Sequence, residues 1–324
     1  MIRLRKRGKR NVLRWRSVTL HANSWFVKLM TRFLTVVTLL AAFNFFSFFY
    51  LKEKIHDQII RHNELNIRHT VEGYENHIRR TVDSILHLMQ DAGFAANLNT
   101  LRHVGLNQGY DRMKAVQEEL KKLHAHPFLY LENVIIHFKH DRYVLEKEGT
   151  SDAERMFTRY YASEAYQLED WVRLFDESFQ FKILPAADFT EMSARFVNPK
   201  GRLLPVVVKL FPYEDLYFIA MLDADKLFNT YHYTSEAAFY ILDANGRPVY
   251  ASSSDASIAL PAAPRTKSTV RRGDYYYFYQ EGNQTGFTYV TIAATKNISA
   301  QLLQLNLVLI TLLIAAVVIS VMTS

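Results

Sequence analysis

Two long runs of uncharged, mostly apolar residues lie near the ends of the 324-residue chain. Residues 33–51 form a run of 19 and residues 297–324 a run of 28, and neither run contains Asp, Glu, Lys or Arg. About 20 helical residues cross the roughly 30 Å hydrocarbon core of a bilayer. The pattern therefore predicts transmembrane helices at 33–51 and 300–322, with residues 52–296 looped out between them.

After the first run the chain becomes polar but keeps a helical period. Apolar residues recur every three or four positions on one face, at Ile67, Val71, Tyr74, Ile78, Val82, Ile85 and Met89. The spacing predicts a stalk helix over residues 52–98. Its apolar stripe suits either a homodimer seam or packing against its own domain.

Beyond the stalk the pattern changes to short helices and alternating strands, which divide into modules at 99–232 and 233–296. Helices are predicted at 111–124, 169–175 and 223–231, with Asp223 as the N-cap of the last. Strands are predicted at 133–138, 143–146, 203–211, 216–222, 239–242, 247–250, 274–281 and 286–294, and residues 251–266 as a surface loop.

Charge fixes the expected orientation. Residues 1–32 contain ten Lys or Arg and no acid, whereas the rest of the chain has 29 basic and 32 acidic residues. Basic flanks of membrane helices stay cytoplasmic. Both termini are therefore expected on the cytoplasmic side of the cell membrane, and residues 52–296 on the extracellular side. The basic tail suits contact with anionic lipids and gives no reason to expect nucleic-acid binding. The first run is too long and too bulky at its end for a cleaved signal peptide. No cysteine is present, so no disulfide is expected.

Two short stretches of the second module resemble a known sensor family. Residues 239–250 (FYILDANGRPVY) are similar to the strand-DxxG-strand hairpin of a Cache module, and residues 285–290 (TGFTYV) to the stretch that closes the family's second module, with Phe287 replacing the usual Trp. The resemblance to double Cache domains implies an α+β fold with two successive PAS-like antiparallel-sheet modules. With the hydrophobic pattern, it implies an extracytoplasmic receptor anchored by two transmembrane helices.

A narrower resemblance concerns the output. Residues 63–66 (NELN) and 70–75 (TVEGYE) look like the stalk of membrane-anchored AraC-type transcription regulators of Paenibacillus-like bacteria. This implies a cytoplasmic DNA-binding region and leads to the expectation that the chain is the input half of a longer protein. A histidine kinase output stays open, as does a natural short form that works with a separate partner.

Catalytic and cofactor motifs are lacking, including the P-loop, dinucleotide, zinc-protease and nucleophile-elbow signatures. We therefore expect no enzyme activity and no cofactor. His124 with His126, and His137 with His140, approach metal-ligand spacings but lack accompanying carboxylates or thiols. They are interpreted as solvated or hydrogen-bonded histidines, and no metal site is predicted.

The candidate ligand site lies in the first module. In the family, an R-x-W-Y-like stretch holds a ligand carboxylate and a downstream Asp holds its amine. Arg159, Tyr160 and Tyr161 follow part of that pattern, and Trp171, Asp188 and Arg195 complete the set of candidate ligand contacts. Aromatic rings with hydroxyl tips suit a sugar or another polar solute. Alternatively, Tyr160, Tyr161, Tyr166 and Trp171 only dock a helical segment onto the sheet.

The sequence is compatible with three functions. The first is a receptor whose extracellular domain binds a small polar solute and signals across the membrane. The second is a ligand-independent scaffold, and the third, least favoured, is a membrane-bound enzyme with an unfamiliar site. The ligand and the oligomeric state are not specified by the sequence.

Overall fold

The computed structural model describes residues 25–104, 109–193, 195–210, 213–232, 238–252 and 268–295, together with 304, 307, 308, 310–312, 314, 315 and 318. The chain divides into two compact units, residues 1–56 with 300–324 and residues 57–299. Most of the predicted second span and the predicted 251–266 loop lie outside the described residues.

The first unit contains the start of α1 (Trp25–Gln90). Within the described part of the chain, one helical segment, Met30–Gln90, includes a stretch long and apolar enough to cross a membrane, with a mean hydropathy of 1.9. This stretch agrees with the predicted first span.

The second unit is α+β, with six helices in chain order among its described residues: the 57–90 part of α1, which we call the stalk, α2 (Ala92–Val104), α3 (Tyr110–His124), α4 (Ala153–Arg155), α5 (Leu168–Asp176) and α6 (Ala224–Tyr231). A π-helical turn, Met156–Tyr160, continues α4. The predicted stalk through residue 98 needs a correction, because the helix breaks at Asp91. There the Asp91 Oδ1 atom accepts the Phe94 N–H at 2.8 Å and starts α2 as its cap.

The first module is a seven-stranded antiparallel sheet. Its described strands are β1 (Leu131–Phe138), β2 (Tyr143–Leu145), β3 (Thr150–Asp152), β4 (Phe181–Ile183), β5 (Ala187–Met192), β6 (Val197–Leu210) and β7 (Tyr213–Asp223). Six of them run in the order β3-β2-β1-β7-β6-β4, and β5 pairs with β6. This order places the β1–β2 hairpin beside the long β6–β7 hairpin. The central strands are buried on both faces, because a hydrophobic core covers each side of the sheet.

The second module is a five-stranded antiparallel sheet of order β10-β11-β12-β8-β9. Its strands are β8 (Ala238–Leu242), β9 (Pro248–Ala251), β10 (Thr269–Arg272), β11 (Tyr275–Glu281) and β12 (Thr288–Ala294). Its β8–β9 turn closes on Asp243, whose Oδ1 atom accepts the Asn245 and Arg247 N–H groups at 2.9 and 2.8 Å. This hairpin is the one that the family resemblance predicted.

One hydrophobic core joins the stalk, α2 and α3 to one face of both sheets. The predicted stripe enters it through Ile67, Val71, Tyr74 and Ile85, which are all buried. The stripe therefore packs against its own domain. A second core lies on the opposite face of the first sheet, under α5 and the π-helical turn. This second layer forms the candidate site.

Candidate functional site

A cleft of about 500 Å³ opens in the second core layer, between the β1–β2 hairpin, α4 and α5. We call it the distal cleft. It is lined by His137, Lys139, Arg142, Asp152, Ala153, Glu154, Phe157, Leu168, Trp171, Val172 and Phe175. Its size lies in the range of small-molecule sites.

The sequence of α5 explains its orientation over the sheet. Its buried residues, Trp171, Leu174 and Phe175, fall three and one positions apart, on a single helical face. At its start the Gln167 N–H donates to Asp170 Oδ2 at 3.0 Å, which satisfies one of the free amides of the first turn. The aromatic face of α5 is thereby directed at β1 and the π-helical turn.

Stacked rings form the cleft's apolar wall. The Phe157 and Trp171 rings stack with centroids 4.5 Å apart, and the His137 and Phe175 rings lie 4.3 Å apart. Tyr217 extends the cluster, with its ring 4.7 Å from that of Phe175. A planar apolar ligand surface would find a matching aromatic wall here.

Two polar atoms in this wall are buried without a hydrogen-bond partner among the described residues, Trp171 Nε1 and His137 Nδ1. Burial, reinforced by the nearby Lys139 charge, lowers the pKa of His137 to about 4. The imidazole is therefore neutral at pH 7, with one donor and one acceptor nitrogen. A buried polar atom without a partner is destabilising by about 1–3 kcal/mol. Both residues line the cleft, but these two atoms are themselves shielded from solvent, so a ligand could hydrogen-bond them only after the lining side chains move.

Charged side chains form the cleft's rim. Lys139 Nζ lies 2.6 Å from Asp176 Oδ1, and Asp152 Oδ1 accepts the Arg155 N–H at 2.7 Å as the α4 cap. Arg142 is at the hairpin tip with a φ of 55°, a left-handed conformation that few non-glycine residues adopt. Its carbonyl accepts the Ala153 N–H at 2.8 Å, which ties the tip to α4. Both signs of charge are therefore available to a polar ligand.

Of the six predicted site residues, only Trp171 lines the distal cleft. Arg159, Tyr160, Asp188 and Arg195 are all exposed. Asp188 points outward because its strand neighbour Phe189 points into the core. The structure does not bring these residues together in one cavity, and their ligand role stays a prediction.

Tyr161 lies in a separate polar cluster on the same face of the first sheet. Lys200 Nζ sits 4.8 Å from its ring centroid and 3.5 Å from Glu191 Oε2. Burial raises the pKa of Tyr161 and also that of Glu146, whose carboxylate accepts a hydrogen bond from Asn133 Nδ2. These groups are paired with one another, so the cluster has the character of a structural network.

Sequence analysis missed the other ten cleft residues, among them His137, Arg142 and Phe157. His137 carries a usable signal, because Asn133, Ile135 and His137 alternate along β1 on one face, and all three are buried. Among the described residues no group of three or more His, Cys, Asp or Glu is placed to hold a metal ion.

Comparison with known proteins gives no family. The chain matches no protein-family profile and no curated protein sequence.

Solved structures resemble it at low identity. The extracellular domain of vpHK1S-Z8, a protein assigned to the histidine kinases, has a TM-score of 0.49 and 8% identity, covering 77% of this chain and 96% of that one. The ligand-binding domain of Mlp24 with asparagine scores 0.41 at 12% identity, covering 78% and 98%. The sensor domain of the V. cholerae histidine kinase DctB scores 0.40 at 10% identity, covering 72% and 98%. At these identities and scores, no property of the three proteins is transferred to this chain.

Proposed function

We propose that this chain is a membrane-anchored extracytoplasmic sensor whose distal cleft binds a small polar solute, such as a sugar, without transforming it. The observation that carries the proposal is the pair of buried, unpartnered polar atoms, Trp171 Nε1 and His137 Nδ1, in the wall of a cleft of about 500 Å³. A ligand that reached both atoms after a movement of the lining would supply the hydrogen-bond partners that they lack among the described residues.

Signalling requires that the ligand bind one arrangement of the domain more tightly than another. The proposed pathway runs from the cleft through β1 to the stalk, since both faces of β1 are buried and its other face packs in the core that holds the stalk. In the proposed topology, two membrane spans and a basic tail at anionic lipids hold both termini in the cytoplasm. A homodimer along the stalk would use a surface other than the apolar stripe, which packs against its own domain.

The proposed output is an AraC-type DNA-binding region, supported by the stalk resemblance at residues 63–66 and 70–75; a histidine kinase is the alternative. Sequencing of the gene beyond codon 324 decides between them. Coding sequence for a helix-turn-helix region supports the first output, and coding sequence for a kinase core supports the second.

The binding proposal is tested with the full chain in lipid nanodiscs. Trp171 becomes the sole tryptophan when Trp15 and Trp25 are changed to Phe, because the chain has three. Sugars, amino acids and organic acids are titrated while the fluorescence of Trp171 is recorded. We expect a saturable spectral change with at least one class of solute.

A variant that fills the cleft provides the control. Val172 lines the cleft and is 54% exposed, so Val172→Phe would occupy the cleft without disturbing the core. It should abolish the response and leave the melting temperature of the unliganded protein unchanged. If no solute class changes the Trp171 fluorescence or raises the melting temperature, the sensor proposal is wrong and the ligand-independent scaffold is favoured.

A further inference from the structure

Glu75 joins the stalk to the second module. Its side chain leaves the stalk and accepts three hydrogen bonds from the β11–β12 hairpin. The Gln284 N–H donates to Oε2 at 2.5 Å, and the hydroxyls of Thr285 and Tyr289 donate to Oε1 at 2.5 and 3.0 Å. One stalk carboxylate thus accepts three hydrogen bonds from this hairpin, in addition to the packing of Phe278 and Tyr289 in the core shared with the stalk.

This carboxylate is buried and its partners are uncharged. Glu75 is only 5% exposed, and within the described part of the chain it forms no ion pair. A buried carboxylate is tolerated when hydrogen-bond donors replace its hydration. The three donors are therefore what keeps Glu75 in this position.

The backbone of the hairpin is shaped around the same side chain. A Cβ atom added to Gly282 would lie 2.5 Å from Glu75 Oε1 and 2.9 Å from Tyr289 Cε2. Any other residue at position 282 would push the carboxylate away from its donors. Gly282 therefore permits the close approach of hairpin and stalk.

A second stalk carboxylate acts in the same way. The Thr269 and Ser268 hydroxyls donate to Glu64 Oε1 at 2.5 and 3.3 Å. Glu64 and Glu75 are 11 residues apart, about three helical turns, so both lie on one face of the stalk. Two stalk carboxylates on this face therefore accept hydrogen bonds from the second module.

Water has access to the Glu75 contact. A groove of about 310 Å³ runs beside it, lined by Arg68, Val71, Glu72, Glu75, Asn76, Gln280, Glu281, Asn283 and Gln284. Eight of these nine side chains are polar or charged, so the groove is readily hydrated. Water in the groove can replace the hairpin's donors when the contact opens, which lowers the free energy of separating the two parts.

We propose that Glu75 is a releasable clasp, which lets the β11–β12 turn around Gln284 separate from the stalk while β11 and β12 stay folded and their core with the stalk stays packed. Such a local opening would expose the Glu75 carboxylate to the groove. The clasp is independent of the ligand in the distal cleft, so its test needs no ligand.

The exchange rate of the Gln284 amide, measured on the full chain in nanodiscs, reports opening of the clasp directly, because this amide is one of the donors to Glu75. In the unmodified chain, this amide should exchange faster than the amides of the β11–β12 ladder, which open only with the sheet. Glu75→Gln places an NH₂ group against the donors and should speed exchange at Gln284 at least tenfold. The ladder amides should keep their rates.

Glu72→Gln is the matched control. Glu72 lines the same groove one turn earlier, but it is exposed and pairs only with His69 at 3.7 Å among the described contacts. Exchange at Gln284 should be unchanged in this variant. If both variants accelerate exchange equally, the effect reflects groove charge, and the clasp is refuted.

Gly282→Ala keeps the Glu75 carboxylate but adds a methyl group that collides with it, so this variant should also accelerate exchange at Gln284. Thr285→Val removes one donor of three and should give a smaller acceleration; it keeps the proposal testable if Glu75→Gln does not fold. Equal exchange rates at Gln284 and in the ladder of the unmodified chain would show that only global opening occurs, which overturns the proposal.

Discussion

The ring of Tyr231 lies directly over Gly73 of the stalk. A Cβ atom added to Gly73 would lie 2.8 Å from Tyr231 Cε1 and 2.9 Å from its Cγ. The Tyr231 carbonyl also accepts a hydrogen bond from the Thr70 hydroxyl at 3.1 Å. Tyr231 is the last residue of α6, so this contact fixes the end of the first module on the stalk.

Gly73→Ala should therefore destabilise the protein, although Ala is the better helix former by about 1 kcal/mol. The added methyl group meets atoms at the base of the ring, which can move only if the Tyr231 backbone shifts. We expect a net loss of about 1–3 kcal/mol, as in other overpacked cores. Chemical denaturation measures it, and Gly149→Ala is the control because nothing lies within 4 Å of its added Cβ atom. A Gly73→Ala protein as stable as its parent would contradict the close contact.

Removing the Arg102 guanidinium should weaken the attachment of α2 to the first sheet. Its Nε atom lies 2.7 Å from Asp215 Oδ2, and the Asp215 side chain is 10% exposed. Arg102→Met would leave that carboxylate without this partner in a poorly solvated place. We expect a loss of about 2 kcal/mol, below the 3–5 kcal/mol of fully buried pairs because Arg102 is partly exposed.

Lys121→Met is the comparison for this pair. Lys121 Nζ lies 2.9 Å from Glu118 Oε1, but both side chains are exposed. Solvent screens an exposed pair, so Lys121→Met should lose much less stability than Arg102→Met. Equal losses in the two variants would show that the burial of Asp215 has no energetic effect.

The pH dependence of stability should carry the signature of His137. Burial lowers the pKa of this imidazole to about 4, below the ordinary value of 6.5, so the unfolded chain binds its proton first as pH falls. The contribution of neutral His137 is intact above pH 6.5 and is lost as pH falls toward 4. It amounts to about 3 kcal/mol at 1.36 kcal/mol per pH unit.

His137→Phe should flatten this part of the stability curve. Denaturation midpoints between pH 7 and 4 give the comparison. His77 contributes in the same direction, since burial lowers its pKa although the Leu129 carbonyl oxygen, 3.1 Å from Nε2, acts to raise it. A His137→Phe curve parallel to that of the parent would show that His137 is not the titrating group.

Elements with strong periodicity were predictable, and the reason is visible in β7 and α6. The run at 216–222 is apolar throughout, and both of its faces are buried. Asp223, predicted as a cap, accepts the Lys226 N–H at 2.9 Å. The break at Asp91 was missed because an Asp inside a charged helix has no distinctive pattern until its side chain turns back to cap.

The candidate site was predicted less well because it depends on strand register and on the π-helical turn. The sequence neighbours Tyr160 and Tyr161 diverge at the end of this turn, since Tyr160 is exposed and Tyr161 is buried. Arg195 falls in the β5–β6 turn, and β5 was not predicted because most of its residues are only partly buried. The ligand motif was judged by spacing along the chain, whereas the cleft is assembled across α4, α5 and β1.

The two-pass topology can be tested by labelling single cysteines, because the chain contains none. Asn245 occupies an exposed turn of the second module, and Ser17 and Ser324 belong to the predicted cytoplasmic segments. The ten basic residues ahead of the first span predict that this flank stays inside. An impermeant maleimide added to intact cells should label Asn245→Cys and neither Ser17→Cys nor Ser324→Cys. Permeabilised cells, in which all three should react, provide the control. Labelling of Ser324→Cys from outside would reduce the topology to a single pass, and labelling of Ser17→Cys with protection of Asn245→Cys would invert it.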